Sequence, residues 1–368
     1  MEAWLTREWQ RNSLWQIFLR PLSWLFRLLV AMRRGAYRAG WLKSFSVGAP
    51  VIIVGNISVG GTGKTPLVLA LVEMLTSRGM RCGIVTRGYN RRADVSSDTP
   101  IHITPDLPLG TLLSDEATLL ARRAGVPVYA GANRVEAARA LLRSHSEVNV
   151  IISDDGLQHY RLRRDIEICV IDGARGLGNG ALLPAGPLRE PVSRLEVVDA
   201  MVVNRNAIHP VHPAIKPDRR GREWPQGPLG RDVAPPARQS TARFDMTLAN
   251  ETFINLKSDC RLDMSDALAA FHGKRVHALA GIGNPQRFFS HLAALGMEPN
   301  TTQPFPDHHD YRATDFSDIE AGIILMTEKD AVKCAAFADE RMWFMQVDAV
   351  LPSDFADFIL DKLHQHKA

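Results

Sequence analysis

From about residue 48 onward, short apolar runs alternate with longer amphipathic stretches. Val51–Val54, Arg81–Thr86, Val126–Tyr129, Val148–Ser153, Ile166–Asp172 and Ala200–Asn204 read as strands, with Thr65–Arg78, Ser114–Ala124 and Arg134–Ser144 as helices between them. Strands this uniformly apolar must be covered on both faces, and their alternation with helices predicts an α/β fold built on a mostly parallel sheet. Residues 206–240 break the pattern with clustered proline, arginine and glycine, which reads as a loop or linker. A second, smaller α/β unit follows. Its strands are Val276–Ala280 and Ile323–Met326, with helices over Gln286–Leu295 and onward from Ala331. The expected organisation is a helical segment over 1–48, a first domain over 49–240 and a C-terminal α/β domain over 241–368.

The first 43 residues obey a different pattern. Arg7, Arg11, Arg20, Arg27, Arg33, Arg34, Arg38 and Lys43 face only Glu2 and Glu8, and five of the seven tryptophans lie among them (Trp4, Trp9, Trp15, Trp24 and Trp41). Arg20 and Arg27 interrupt the apolar positions before about twenty can accumulate, so no bilayer span is expected. The mixture suits an amphipathic helix lying in a membrane interface, with arginines toward anionic headgroups. The alternative is a helix that packs its aromatics on the protein's own core. Elsewhere the charge is unremarkable: a net +4 over 368 residues gives no reason to expect nucleic-acid binding. Cys82, Cys169, Cys260 and Cys334 are too scattered for a zinc site or a disulfide framework, which fits a reducing compartment. No protein partner is legible.

The chemistry begins where the first strand ends. Ser58, Val59, Gly60, Gly61, Thr62, Gly63, Lys64 and Thr65 join that strand to a helix, the layout of a loop whose backbone N–H groups surround phosphates. Lys64 would reach the β/γ-phosphates and the Thr65 hydroxyl would meet Mg²⁺. The usual pattern wants glycine where Ser58 stands. Asp154 and Asp155 close a buried strand, where carboxylates hold Mg²⁺ directly or through water. Arg87 and Arg134 lie on the same expected ligand face, as phosphate clamps or as surface ion pairs. Asp115 opens a helix, which by itself suits the helix dipole. His308 sits in a loop dense in His and Asp, open to a charge-relay or metal role.

The motifs taken in order resemble the tetraacyldisaccharide 4'-kinase (lipid A 4'-kinase) family of Gram-negative bacteria. They are Gly55 to Pro66 with its Gly-Gly-Thr-Gly-Lys-Thr core, Arg87-Gly88-Tyr89, Ser114-Asp115-Glu116-Ala117 and Asp154-Asp155-Gly156-Leu157-Gln158-His159. Leu182 to Pro191, Ala280 to Phe289, Phe305 to Tyr311 and Thr327 to Lys333 complete the series. The resemblance runs from about residue 12 to the last helix and accounts for Ser58, because that family's loop has the same form. It implies an ATP- and Mg²⁺-dependent, P-loop NTPase-like enzyme. Such an enzyme moves the γ-phosphate to the 4'-hydroxyl of a tetraacylated glucosamine disaccharide 1-phosphate, giving lipid IVA. It also implies Asp115 as general base supported by His308, Lys64 and Thr65 on the nucleotide and metal, Asp154 and Asp155 at the metal, and Gln158 and Glu190 near both; Arg134 matches more weakly. The implied location is the cytoplasmic face of the inner membrane, held peripherally by the N-terminal helix, since each acyl CH₂ drawn into water costs about 0.8 kcal/mol. Two other readings are weighed. A GTPase is disfavoured because the nearest strings to Asn/Thr-Lys-x-Asp, at Asn204 and Thr327, depart from it. A membrane scaffold with an inactive loop is disfavoured by the intact Lys64, Thr65, Asp154 and Asp155.

Overall fold

The structure, a computed structural model, describes residue 9 and residues 14–87, 99–105, 114–205, 241–320 and 322–365. The expected loop 206–240 lies outside the described residues, as do residues 1–8 and the Gly88 and Tyr89 of the Arg87 motif. The first half runs α1 (Leu14–Arg38), β1 (Val51–Gly55), α2 (Lys64–Thr76), β2 (Cys82–Thr86), β3 (Ile101–Ile103), α3 (Asp115–Arg123) and β4 (Val128–Ala130). It continues through α4 (Arg134–Ser144), β5 (Val150–Asp154), β6 (Ile166–Asp172) and β7 (Ala200–Asn204). The second half runs β8 (Ala242–Asn255), β9 (Arg261–Leu262), α5 (Met264–Phe271), β10 (Val276–Ala280), α6 (Pro285–Ala294) and β11 (Thr301–Pro304). It ends with β12 (Ile323–Thr327), α7 (Glu328–Cys334), β13 (Met342–Val350) and α8 (Asp354–Gln365).

Pleating sorts the apolar runs into two layers. In β1, Ile52 and Val54 enter one core while Val51 and Ile53 enter the opposite one, because successive side chains point to opposite faces. Helices α2 and α3 cover the first face through Leu67, Leu71, Leu75 and Leu120, and α4 covers the second through Val135 and Leu141. The mostly parallel α/β sheet is therefore observed. Strand order in this half is β7-β6-β1-β5-β2-β4-β3, parallel except for the edge pair β3 with β4. β1 is central, between β5 and β6, so the crevice beyond its carboxyl end is where such sheets bind ligands.

Two long strands had no counterpart in the expected elements. In β8, Ala242–Met246 pairs in parallel with β7, and the remainder pairs antiparallel with β13. Through this one strand the second half, ordered β11-β10-β12-β13-β8, is continuous with the first. The helix expected from Ala331 begins instead at Glu328, where Thr327 Oγ1 accepts the Asp330 N–H at 3.2 Å and caps it.

The two halves also share a core. Helix α8 returns from the end of the chain and buries Phe355, Ile359 and Leu363 in the layer that holds β1, α2 and α3. Phe355 meets Phe244 of β8 edge-on, ring centroids 4.9 Å apart.

Helix α1 is docked by Gln16 and Ser23 together with Phe26, which packs on the second core layer. Gln16 and Ser23 are buried, and the Ser23 hydroxyl donates to the Leu182 carbonyl (2.9 Å) and accepts from the Ala185 N–H (3.0 Å). Trp15, Phe18, Leu22, Leu25, Leu29 and Met32, at alternating three- and four-residue spacing, face outward; Phe18 is 76% exposed. The Phe355→Ala variant should lose about 3–5 kcal/mol of stability in urea unfolding, the cost of emptying a fully buried aromatic site.

Candidate active site

The loop after β1 is shaped by donors that hold its carbonyls. Asn56 Nδ2 donates to the Gly60 carbonyl at 3.3 Å, Arg175 to the Gly61 carbonyl, and Asn204 Nδ2 to the Thr62 carbonyl at 3.1 Å. In a trans peptide the next N–H points opposite to the anchored C=O, so the N–H groups of Gly61, Thr62 and Gly63 turn away from those anchors. Gly60 and Gly63 adopt φ of +96° and +94°, which an L side chain resists. The α2 N-terminus has no side-chain cap and no acidic residue in its first turn, as an anion-binding helix end requires. Ser58 takes part in an isolated bridge to Leu188, and the Val59 N–H donates to the Pro187 carbonyl at 2.9 Å.

Asp154 and Asp155 share one strand end but not one environment. Asp154 is buried; Thr86 Oγ1 donates to its Oδ2 at 3.3 Å, while its Oδ1 is buried with no hydrogen-bond partner. Burial pushes its carboxyl up to about 6 despite the nearby Lys64 charge, and the charges of Asp155 and Glu116 add to the rise. Asp155 is held below the usual carboxylate range: the charges of Lys64 and Arg189 outweigh its burial. Lys64 Nζ lies 3.4 Å from Asp155 Oδ1 and Arg189 lies 3.3 Å from Oδ2. An orphaned carboxylate oxygen beside a second carboxylate is a donor set that fits a divalent cation.

Arg134 opens α4 and is almost wholly buried. One guanidinium nitrogen donates to the Gly131 carbonyl at 2.9 Å, and its Nε has no hydrogen-bond partner. Burial lowers it to about 10, opposed by the charges of Asp154 and Asp155 and assisted by that of Arg87. Arg87, at the end of β2, is exposed at the same edge.

Asp115 and His308 are 193 residues apart and come from opposite halves, yet His308 Nδ1 lies 3.1 Å from Asp115 Oδ2. Lys333 Nζ reaches the same oxygen at 3.1 Å. Lys329 binds Glu116 at 3.1 Å and Asp307 at 3.2 Å. The Ser114 hydroxyl caps α3 by accepting the Ala117 N–H, which fixes Asp115 and Glu116 at the helix mouth. Asp155 and His308 are two of four non-glycine residues with positive φ among the described residues (47° and 60°); such strain costs about 1–2 kcal/mol each.

Gln158 and Glu190, expected near the nucleotide and metal, are hydrogen-bonded to each other beside the phosphate loop. Gln158 Nε2 donates to Glu190 Oε1 at 2.9 Å and to the Asn56 carbonyl at 3.0 Å. Glu190 Oε2 accepts from the Tyr160 hydroxyl at 2.6 Å and faces Arg194 at 3.3 Å. Both carboxylate oxygens thus have donors, and the pair links the phosphate loop to the neighbouring loop. Lys329, Lys333, Asn56, Asn204 and Arg189 received no site role from the sequence. Only the lysines carried a signal. They sit four residues apart on a helix that follows a strand, and Lys329 lies in the first turn, where the dipole disfavours a cation unless acids face it.

The family model described as tetraacyldisaccharide-1-P 4'-kinase, LpxK, matches residues 15–364. The chain belongs to that family. The tetraacyldisaccharide 4'-kinase of Methylobacillus flagellatus is 47% identical over 98% of this chain and 96% of its own length. That of Herminiimonas arsenicoxydans is 44% identical over 100% and 97%. A crystal structure of an "apo" form of LpxK from Aquifex aeolicus in complex with ATP superposes with TM-score 0.71 at 26% identity, covering 95% of this chain and 100% of that one. The protein is a kinase that acts on a hydroxyl in lipid A biosynthesis. In this 4'-kinase a Cβ at Gly63 would stand 2.5 Å from Asn204 Nδ2. Gly63→Ala should therefore weaken ATP binding about ten-fold or more by calorimetry, matching the cost of an alanine forced into the left-handed region.

Proposed function

We propose that ATP lies on the loop Ser58–Thr65, that the acceptor's 4'-hydroxyl enters the cleft between the two halves, and that Asp115 removes its proton. The observation that carries this reading is the contact of His308 with Asp115 across the cleft. The charge of Glu116, next to Asp115, acts on Asp154, which supports one continuous site from the phosphate loop to α3.

Burial alone would raise the Asp115 carboxyl, but the His308 hydrogen bond and the charges of Lys333 and Lys329 bring it below the usual range. The same bond lifts His308 above the ordinary imidazole value against its own desolvation. Asp115 is therefore ionised at neutral pH and ready to accept a proton, while His308 orients it. As the 4'-oxygen bonds to the γ-phosphorus, its proton passes to Asp115 and ADP leaves. Lys64, freed from Asp155 by the incoming phosphates, neutralises the γ-phosphate, and Arg134 and Arg87 add positive charge at the same edge. Mg²⁺ would be held by Thr65, Asp154 and Asp155 and would spread the charge of the transferring group; the orphaned Asp154 Oδ1 supports that assignment. Glu190 and Gln158 complete the metal end of the site in this reading: Gln158 joins Glu190 Oε1 to the Asn56 carbonyl at the start of the phosphate loop.

The lipid acceptor requires the enzyme at a membrane surface, and α1 supplies the contact in this reading. No described helix is long and apolar enough to cross a bilayer. The outward apolar stripe of α1 is what an interfacial helix offers to lipid, and it supports peripheral attachment to the cytoplasmic face of the inner membrane. The rival arrangement, aromatics packed on the protein's own core, is disfavoured by the exposure of Trp15, Phe18 and Trp24.

Asp115→Asn and His308→Ala should each lower kcat about 10²–10⁴-fold for Asp115 and less for His308, with the KM for ATP nearly unchanged; parallel losses in ATP affinity would argue against the assignment. Lys333→Met removes a charge that depresses the Asp115 carboxyl, so its pKa rises and the acid limb of the kcat–pH profile should move to higher pH. Leu22→Glu with Leu25→Glu, both on the exposed stripe, should abolish flotation with anionic vesicles while leaving thermal unfolding unchanged.

A further inference from the structure

Beyond the catalytic cleft, a cavity of about 300 Å³ opens between the C-terminal end of α1 and the loop that follows β5. Its wall carries Arg34, Arg38, Arg163, Arg164 and Arg194, with Glu167 as the carboxylate among its lining residues. Glu167 is already claimed, by Arg164 at 2.8 Å and by Arg194. Arg34 stands 4.0 Å from Glu190, at the limit of an ion pair. Arg38 and Arg163 are exposed and make no ion pair among the described residues.

Basic residues at a helix C-terminus can be explained by the dipole alone, which would account for Arg34 and Arg38. It does not account for Arg163, Arg164 and Arg194, which come from other segments and converge on the same space. Glu167 and Glu190 offset Arg164 and Arg194, which leaves the charges of Arg38 and Arg163 on the cavity wall without a carboxylate among the described residues; the planar guanidinium matches phosphate oxygens in paired hydrogen bonds. Arg38 and Ser44 of its lining bracket Trp41 and Leu42 in the chain, which are exposed at 84% and 43% just past the end of α1. In the membrane-bound arrangement proposed above, on which this inference rests, that is the depth of the lipid phosphates.

We propose that this cavity binds the phosphate ester of a membrane lipid, at a site distinct from the phosphate loop. Two sources share this chemistry: the headgroup of an anionic glycerophospholipid and the 1-phosphate of the acceptor. Through Arg34, Glu190 and Gln158 the site is contiguous with Asn56, which anchors the phosphate loop.

The test uses the full chain with ATP present and monomeric dihexanoyl phosphatidylglycerol as probe, with dihexanoyl phosphatidylcholine as the zwitterionic control. Calorimetry should show saturable one-site binding of the phosphatidylglycerol, weakened about ten-fold or more in Arg38→Gln/Arg163→Gln. The Arg20→Gln/Arg27→Gln pair removes the same charge from the exposed face of α1 outside the cavity and should leave this binding unchanged. Equal binding of the two lipids, or equal loss in both variant pairs, overturns the proposal. The KM for the disaccharide acceptor in neutral detergent micelles then separates the sources. A rise confined to the cavity variant assigns the acceptor's phosphate, and an unchanged KM assigns a resident phospholipid. Wild-type turnover in the same micelles reads the kinase assignment independently of either result.

Discussion

The hydrogen-bond ladder of β8 is the constraint from which the rest of the molecule follows. Its first residues pair in parallel with β7 and its later ones antiparallel with β13, so one strand locks two α/β halves into a continuous sheet. The carboxyl ends of β1, β2 and β5 then face the loops that follow β11 and β12. Asp115 meets His308 only because of that arrangement. The ion pairs across the cleft, Arg123 with Glu328 and Asp348, and Arg287 with Asp172, refine a geometry already set. Partly exposed pairs of this kind contribute about 0–1 kcal/mol each, far less than a strand ladder backed by the shared core around Phe355.

Within that frame, electrostatics divides neighbouring groups by task. Asp154 and Asp155 are adjacent in sequence, yet burial lifts the first to about 6 while Lys64 and Arg189 hold the second down. The left-handed backbone at Asp155 turns its side chain out toward Lys64 while Asp154 remains inside, and the strain is the cost of presenting two carboxylates to different partners. His308 shows the same strain at the far wall of the cleft. Backbone strain at residues of a site is characteristic of positions where geometry outranks local stability.

Helix α1 departs from the usual amphipathic rule: Gln16 and Ser23 dock it together with Phe26, while most of its large apolar residues face away. Its basic-aromatic composition pointed to a membrane interface, and the buried Ser23 contacts are the anchor that leaves the apolar face free. The strands β1, β2 and β4 to β7 were legible because each is an apolar run, and a doubly covered strand admits few other readings; β3, Ile-His-Ile at the sheet edge with His102 exposed, lacked that signal. β8 was also legible in principle, since Phe244, Met246 and Leu248 alternate with Asp245 and Thr247. The proline-arginine stretch just before it drew the loop assignment up to its edge and hid the period.

What the sequence determined by itself was local and chemical: a glycine-rich turn between strand and helix, two carboxylates at a strand end, a basic aromatic first segment. These depend on neighbours along the chain, where backbone sterics and periodicity act directly. Tertiary structure alone decided which distant groups share a charge. Nothing in the spacing of Asp115, His308, Lys329 and Lys333 indicates that they meet, because their meeting depends on how β8 joins the two sheets. The same holds for Glu190, whose motif suggested a metal and whose partners, Tyr160, Gln158 and Arg194, are visible only once the loops after β5 and around residue 190 lie side by side.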